Sequence, residues 1–87
     1  MPTLYKANGE KKTIERKRAF STGELQKYVG GDDFELIPLG NHYLVVNEIG
    51  RIIGLPINEN ATRIAMQFGF YAIIVGDALF TEKRFVK

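Results

Sequence analysis

Asp33-Phe34-Glu35-Leu36-Ile37-Pro38-Leu39-Gly40-Asn41-His42-Tyr43-Leu44-Val45-Val46-Asn47 is the stretch on which the fold turns. From Asp33 the apolar period becomes two, so Phe34 to Leu39 is expected as a strand. Pro38 has no amide proton to give to a ladder, which pushes that strand towards a sheet edge. Gly40-Asn41 supplies turn chemistry. Tyr43 to Asn47 is β-branched and nearly all apolar, and it reads as the strongest strand and a central one.

Immediately upstream, Ser21-Thr22-Gly23-Glu24 matches a capping box, with Ser21 as N-cap and Glu24 reaching back from the third helical position. Phe20 and Leu25 flank it at the spacing of a hydrophobic staple. Leu25, Tyr28 and Val29 share one helical face, and Gly30-Gly31 ends the helix, the first glycine being free to turn left-handed. Further back, Thr3 to Ala7 is a short strand candidate ending at the tight-turn dipeptide Asn8-Gly9. Lys12 to Arg16 then either pairs back as an edge strand or forms a charged loop.

Downstream, Asn47-Glu48-Ile49-Gly50 reads as a turn, and Arg51-Ile52-Ile53 as a short strand or extended segment that Gly54-Leu55-Pro56 interrupts. Asn58 or Asn60 caps a second helix, in which Ala61, Ile64, Ala65 and Phe68 recur at helical spacing before Gly69. Ala72 to Val75 is expected as a buried strand. Gly76-Asp77 breaks or bulges it, Ala78 to Phe80 continues, and the charged tail from Thr81 to Lys87 is expected to fray.

The order is roughly β-α-β-β-(β)-α-β, an α+β fold with two short helices on one mostly antiparallel sheet. A split βαβ, ferredoxin-like arrangement fits that order, with a less regular α+β roll as the alternative. Residues 1–87 make a single domain, divided into a basic lead-in (1–20), a core (21–80) and a tail (81–87).

Apolar residues make up 45% and charged residues 25%, the balance of an ordinary folded domain and not of a disordered one. There is no cysteine. That excludes disulfide scaffolds, thiolate metal sites and thiol nucleophiles, and it favours a reducing, cytoplasmic setting. No apolar run approaches the roughly 18–20 residues that span a bilayer, and the first residues lack a signal-peptide core, so no membrane association is expected. The net charge of +2 is uneven. In residues 1–20, Lys6, Lys11, Lys12, Arg16, Lys17 and Arg18 stand against Glu10 and Glu15, a local +4; six bases and eight acids give −2 in the remainder.

Candidates for chemistry are few. His42 is the only histidine and sits at a hairpin tip without evident partners, as a solvated turn residue would. Ser21 and Asp77 complete a nominal triad with it, but Ser21 is accounted for as a cap. Asp32 and Asp33 are adjacent and would point to opposite sides of a strand. No catalytic residue, metal ligand or cofactor is assigned. The basic stretch Lys11, Lys12, Arg16, Lys17 and Arg18, with Tyr5 and Phe20 nearby as stacking groups, is the candidate for nucleic-acid binding. Asn47, Asn58, Asn60 and Thr62, gathered around Gly50, Gly54 and Pro56 before a helix start, are the candidates for a small polar ligand. Turn and cap roles explain the same four residues one by one.

The run Glu24-Leu25-Gln26-Lys27-Tyr28-Val29-Gly30-Gly31, the strand with Glu35, Val46-Asn47-Glu48-Ile49-Gly50, Gly54-Leu55-Pro56-Ile57-Asn58, Ala61-Thr62 and Val75-Gly76-Asp77-Ala78 resemble a family of small domains of unknown function, DUF3846. The likeness covers roughly residues 21–80. It implies an accessory protein of phages, plasmids or their bacterial hosts and carries over no catalytic residue. The basic lead-in lies outside the pattern. The preferred reading is a non-enzymatic binding module for a host protein or a small polar ligand, with a homodimer also expected through exposed strand edges. Nucleic-acid binding through residues 11–18 is the alternative.

Overall fold

A computed structural model describes residues 1–86 of the chain. The hairpin forms as expected. β3 (Phe34–Leu39) and β4 (His42–Asn47) pair antiparallel from Phe34 opposite Asn47 to Leu39 opposite His42. β1 (Thr3–Tyr5), β2 (Lys11–Thr13) and β5 (Ala78–Glu82) complete one five-stranded sheet in the order β2-β1-β5-β4-β3, every neighbour antiparallel. The Pro38 strand is an edge and β4 is internal. Of the 12–16 stretch only Lys12 and Thr13 pair back on β1, with Lys11, as the other, highly charged edge, and Ile14 to Arg16 leave the sheet.

α1 (Thr22–Val29) starts at Ser21, whose hydroxyl accepts from the Glu24 amide while the Glu24 carboxylate accepts from the Ser21 amide. Phe20 and Leu25 are both buried, and Gly30 closes the helix with φ +73°. α2 (Glu59–Gln67) is capped by Asn58 and ends at Phe68.

The two helices lie on opposite faces of the sheet, which departs from the ferredoxin-like arrangement. Leu25 and Val29 of α1 pack with Leu4, Val45, Leu79, Phe20 and Phe85. Ala61 and Ala65 of α2 pack with Ile37, Leu39, Leu44, Val46, Ile74 and Ala78. Alternation along β4 is the cause. Leu44 and Val46 point one way and Val45 the other, all three nearly inaccessible to water, so each face needs its own cover.

Two expected strands take other forms. Arg51–Ile53 is a turn, closed by the Ile53 amide on the Ile49 carbonyl and the Gly54 amide on the Arg51 carbonyl. Ala72–Val75 enters no ladder beyond a single bridge between Ile57 and Val75. Its polar groups are taken up outside a ladder: the Ile74 amide donates to Thr62 Oγ1, Arg51 donates to the Ile73 carbonyl, and the Ile74 carbonyl accepts from the Asn58 amide. The tail is also more ordered than expected. Thr81 and Glu82 belong to β5, and a 3-10 turn over Lys83–Phe85 buries Phe85 against Phe20. Lys87 lies outside the described residues.

Candidate functional site

The four polar residues of the 47–62 region divide three to one. Asn58 is fully buried; its Nδ2 donates to the Tyr5 carbonyl at 2.7 Å and the Gly76 carbonyl at 2.8 Å, and its Oδ1 accepts from the Ala61 amide. Asn47 is buried, donating to the Val29 carbonyl and accepting from the Ile49 amide. Thr62 donates to the Asn58 carbonyl and accepts from Ile74. These three fasten loops to the sheet and to α1, and their polar atoms are occupied within the fold. Asn60 alone turns outward, with Nδ2 3.5 Å from the Gly9 carbonyl and Oδ1 accepting from Arg63.

The basic lead-in also divides. Arg16 is a structural clamp: it donates to Glu24 and to the carbonyls of Arg18 and Ala19, and it lies 4.5 Å over the Phe20 ring. Glu24 is held below its ordinary value near 4.5, first by the Ser21 amide and next by Arg16. Lys11 and Lys12 stand exposed on the β2 edge, and Lys17 and Arg18 are exposed on the loop that follows.

His42 is the first residue of β4 and is half-buried, its ring stacked 4.5 Å from Phe80, so it belongs to an aromatic cluster and not to a solvated tip. Asp77 accepts from the Ala7 amide. With Ser21 serving as a cap, the nominal triad residues each have a separate structural task. Among the described residues, no three His, Cys, Asp or Glu side chains gather as a metal site would require.

What sequence reading missed is an apolar surface on the two irregular segments. Ile49, Ile52, Ile53, Ile57, Tyr71 and Ile73 are exposed, Ile52 and Tyr71 by about four-fifths. The segments are strapped together by Arg51 on the Ile73 carbonyl (2.6 Å), by the Asn58 amide on the Ile74 carbonyl and by the Gly76 amide on the Pro56 carbonyl. Leu55 packs into the space beside Gly50 and Gly76, where an added Cβ would collide with Val75 and Leu55. A cleft of about 180 Å³ opens beside this surface, floored by Ile37, Val46 and Ile74, with Glu35, Glu48 and Arg51 at its margin. Expecting strands here hid the surface, because a paired strand would have buried alternate isoleucines.

The family model described as Domain of unknown function (DUF3846) matches residues 3–84. The chain belongs to this family, and the match takes in much of the basic lead-in as well as the core. No curated protein and no solved structure matches.

Proposed function

We propose that this chain is a non-enzymatic binding module that docks another protein on the isoleucine-rich surface. One observation carries the reading: six large apolar side chains are exposed on two segments that hydrogen bonds fasten to each other. Leaving an isoleucine in water forgoes about 1.5–3 kcal/mol of burial, and apolar side chains that a partner could cover jointly would recover it on docking. A pre-formed surface loses little entropy on docking. The cleft margin indicates the partner's chemistry. Glu35 and Glu48 are exposed and make no ion pair among the described residues, and they outnumber the one base at the margin, Arg51, whose guanidinium donates to the Ile73 carbonyl. A partner that inserts an apolar side chain flanked by lysine or arginine fits both features. The family resemblance adds a setting, an accessory protein of a mobile element acting on a cytoplasmic host protein.

The test is site-specific photo-cross-linking in cells that encode the protein, with the probe at position 52, 71 or 12. The expected result is one defined heterologous adduct from positions 52 and 71 and none from 12. The purified partner should then bind the wild-type chain and lose affinity at least tenfold for I52D/Y71D, since two buried contacts of this size exceed 1.4 kcal/mol. Adducts only with a second copy, or equal adducts from all three positions, would overturn the reading.

A further inference from the structure

The basic lead-in and the second helix, far apart in sequence, meet in space. Tyr5 and Lys11 are direct cross-strand partners on β1 and β2, so their side chains leave the same face of the sheet. That face is the one α2 covers, and Asn60, Arg63, Ile64 and Gln67 recur along one side of α2 at helical spacing. Together these residues and Gly9 line a groove of about 290 Å³ between hairpin and helix. The Asn60 amide reaching towards the Gly9 carbonyl ties its two walls at one end.

The groove has three chemical properties. Lys11 and Arg63 bring a positive charge from each wall, and neither meets a carboxylate among the described residues. Tyr5 is half-buried and Ile64 lies beside it, giving an apolar, partly aromatic lining. Asn60 and Gln67 offer amides with both donor and acceptor atoms. Past Gly9 a neighbouring groove of about 240 Å³ adds Lys6 but also Glu59, so the site for an anion is the Lys11–Arg63 side.

We infer that this groove binds a nucleotide unit, its phosphate between Lys11 and Arg63 and its base against Tyr5, read at the edge by Asn60 or Gln67. Arginine and lysine together supply the fork and point charge that phosphate recognition uses, and an aromatic ring gives a base a stacking surface. The same unit comes from a free nucleotide or from single-stranded nucleic acid. Lys17 and Arg18, which sequence reading grouped with Lys11, lie outside the groove.

The experiment is fluorescence anisotropy with a short fluorescein-labelled oligothymidine at low salt, with unlabelled adenosine monophosphate as competitor. Wild type, K11A/R63A, K17A/R18A and Y5L are compared after circular dichroism confirms each fold. Saturable binding is expected, with K11A/R63A weakening it about tenfold or more through loss of two charge-assisted contacts, and K17A/R18A changing it less than about twofold. Removing the two phosphate contacts should also reduce the slope of log K against log salt by about 1.4. Y5L should cost about fivefold or more through the lost stacking surface, and unchanged affinity in Y5L would overturn the placing of the base. A mononucleotide that competes as well as the strand identifies the free ligand as the source, and a much tighter oligonucleotide identifies the strand; both support the site. No saturable binding, or an equal loss in K17A/R18A, overturns it.

Discussion

Asn58 Nδ2 lies 2.7 Å from the Tyr5 carbonyl oxygen, a hydrogen bond between the N-cap of α2 and the first strand across fifty-three residues of sequence. The same amide also holds the Gly76 carbonyl, and the same side chain's oxygen caps the helix at Ala61. One buried residue thus fixes a helix start, the end of β1 and the entrance to β5.

Asn58→Ala should therefore destabilise the protein by roughly 3 kcal/mol, combining the loss of a cap with one buried and one part-buried carbonyl deprived of this donor. Asn58→Asp should be no milder, since it keeps the cap but turns a donor into a second acceptor facing those carbonyls. Urea unfolding of the two variants checks this. A loss below about 1 kcal/mol for either would show that the junction tolerates its removal.

Glu24 carries a pH dependence whose sign follows from its surroundings. The Ser21 amide and the Arg16 guanidinium favour the ionised carboxylate, so its folded pKa is below the ordinary value near 4.5. The unfolded chain therefore binds this proton more readily. The contribution is fully present above the unfolded value and is lost as pH falls through the folded one. Glu24→Gln should lower the urea midpoint at neutral pH, with the gap to wild type closing as pH drops below about 4.5. A gap constant with pH would mean that the side chain acts through its shape alone.

The local signals that proved most readable were those with a one-residue cause. Ser21 and Glu24 form a cap wherever the chain places them, Gly30 has the freedom to turn left-handed, and Pro38 must find an edge. The α+β class followed from the hairpin. Two kinds of information were not local. The parity of Leu44, Val45 and Val46 called for cover on both sheet faces, but nothing in either helix announced which face it would take. Ala72–Val75 has strand composition, yet Thr62 and Arg51 claim its polar groups before a ladder can. The candidate groove was half legible. Lys11, Tyr5 and Asn60 stood out singly in the sequence, whereas Arg63 and Gln67 carry no motif of their own and join the groove only because the hairpin lies opposite them.

Two glycines should respond in opposite directions to alanine. Gly76 has φ +76°, and a Cβ there would sit 2.7 Å from Leu55 Cδ1, so Gly76→Ala meets both backbone strain and a collision. A loss of about 2 kcal/mol is expected. Gly23 lies in the first turn of α1 with open space around it, and Gly23→Ala should stabilise by about 0.5 kcal/mol through reduced freedom of the unfolded chain. Thermal melts of the pair read both signs in one experiment. A destabilised Gly23→Ala would point to a contact on that exposed turn.

Phe85 decides whether the final residues belong to the core. Its ring is 6% exposed and meets Phe20 edge-on at 6.3 Å, while its carbonyl accepts from the Phe20 amide at 2.8 Å. Phe20 in turn packs edge-on against Tyr28 of α1, so the tail supports the helix through one intervening ring. Phe85→Ala should cost about 3 kcal/mol by opening a cavity at that junction, and Phe85→Leu less than about 1.5. Hydrogen exchange localises the effect. In Phe85→Ala the Phe20 amide should lose protection first, ahead of the β4 amides that open only with the whole sheet. A charged tail that merely frayed would leave Phe85→Ala within about 0.5 kcal/mol of wild type and the Phe20 amide unchanged.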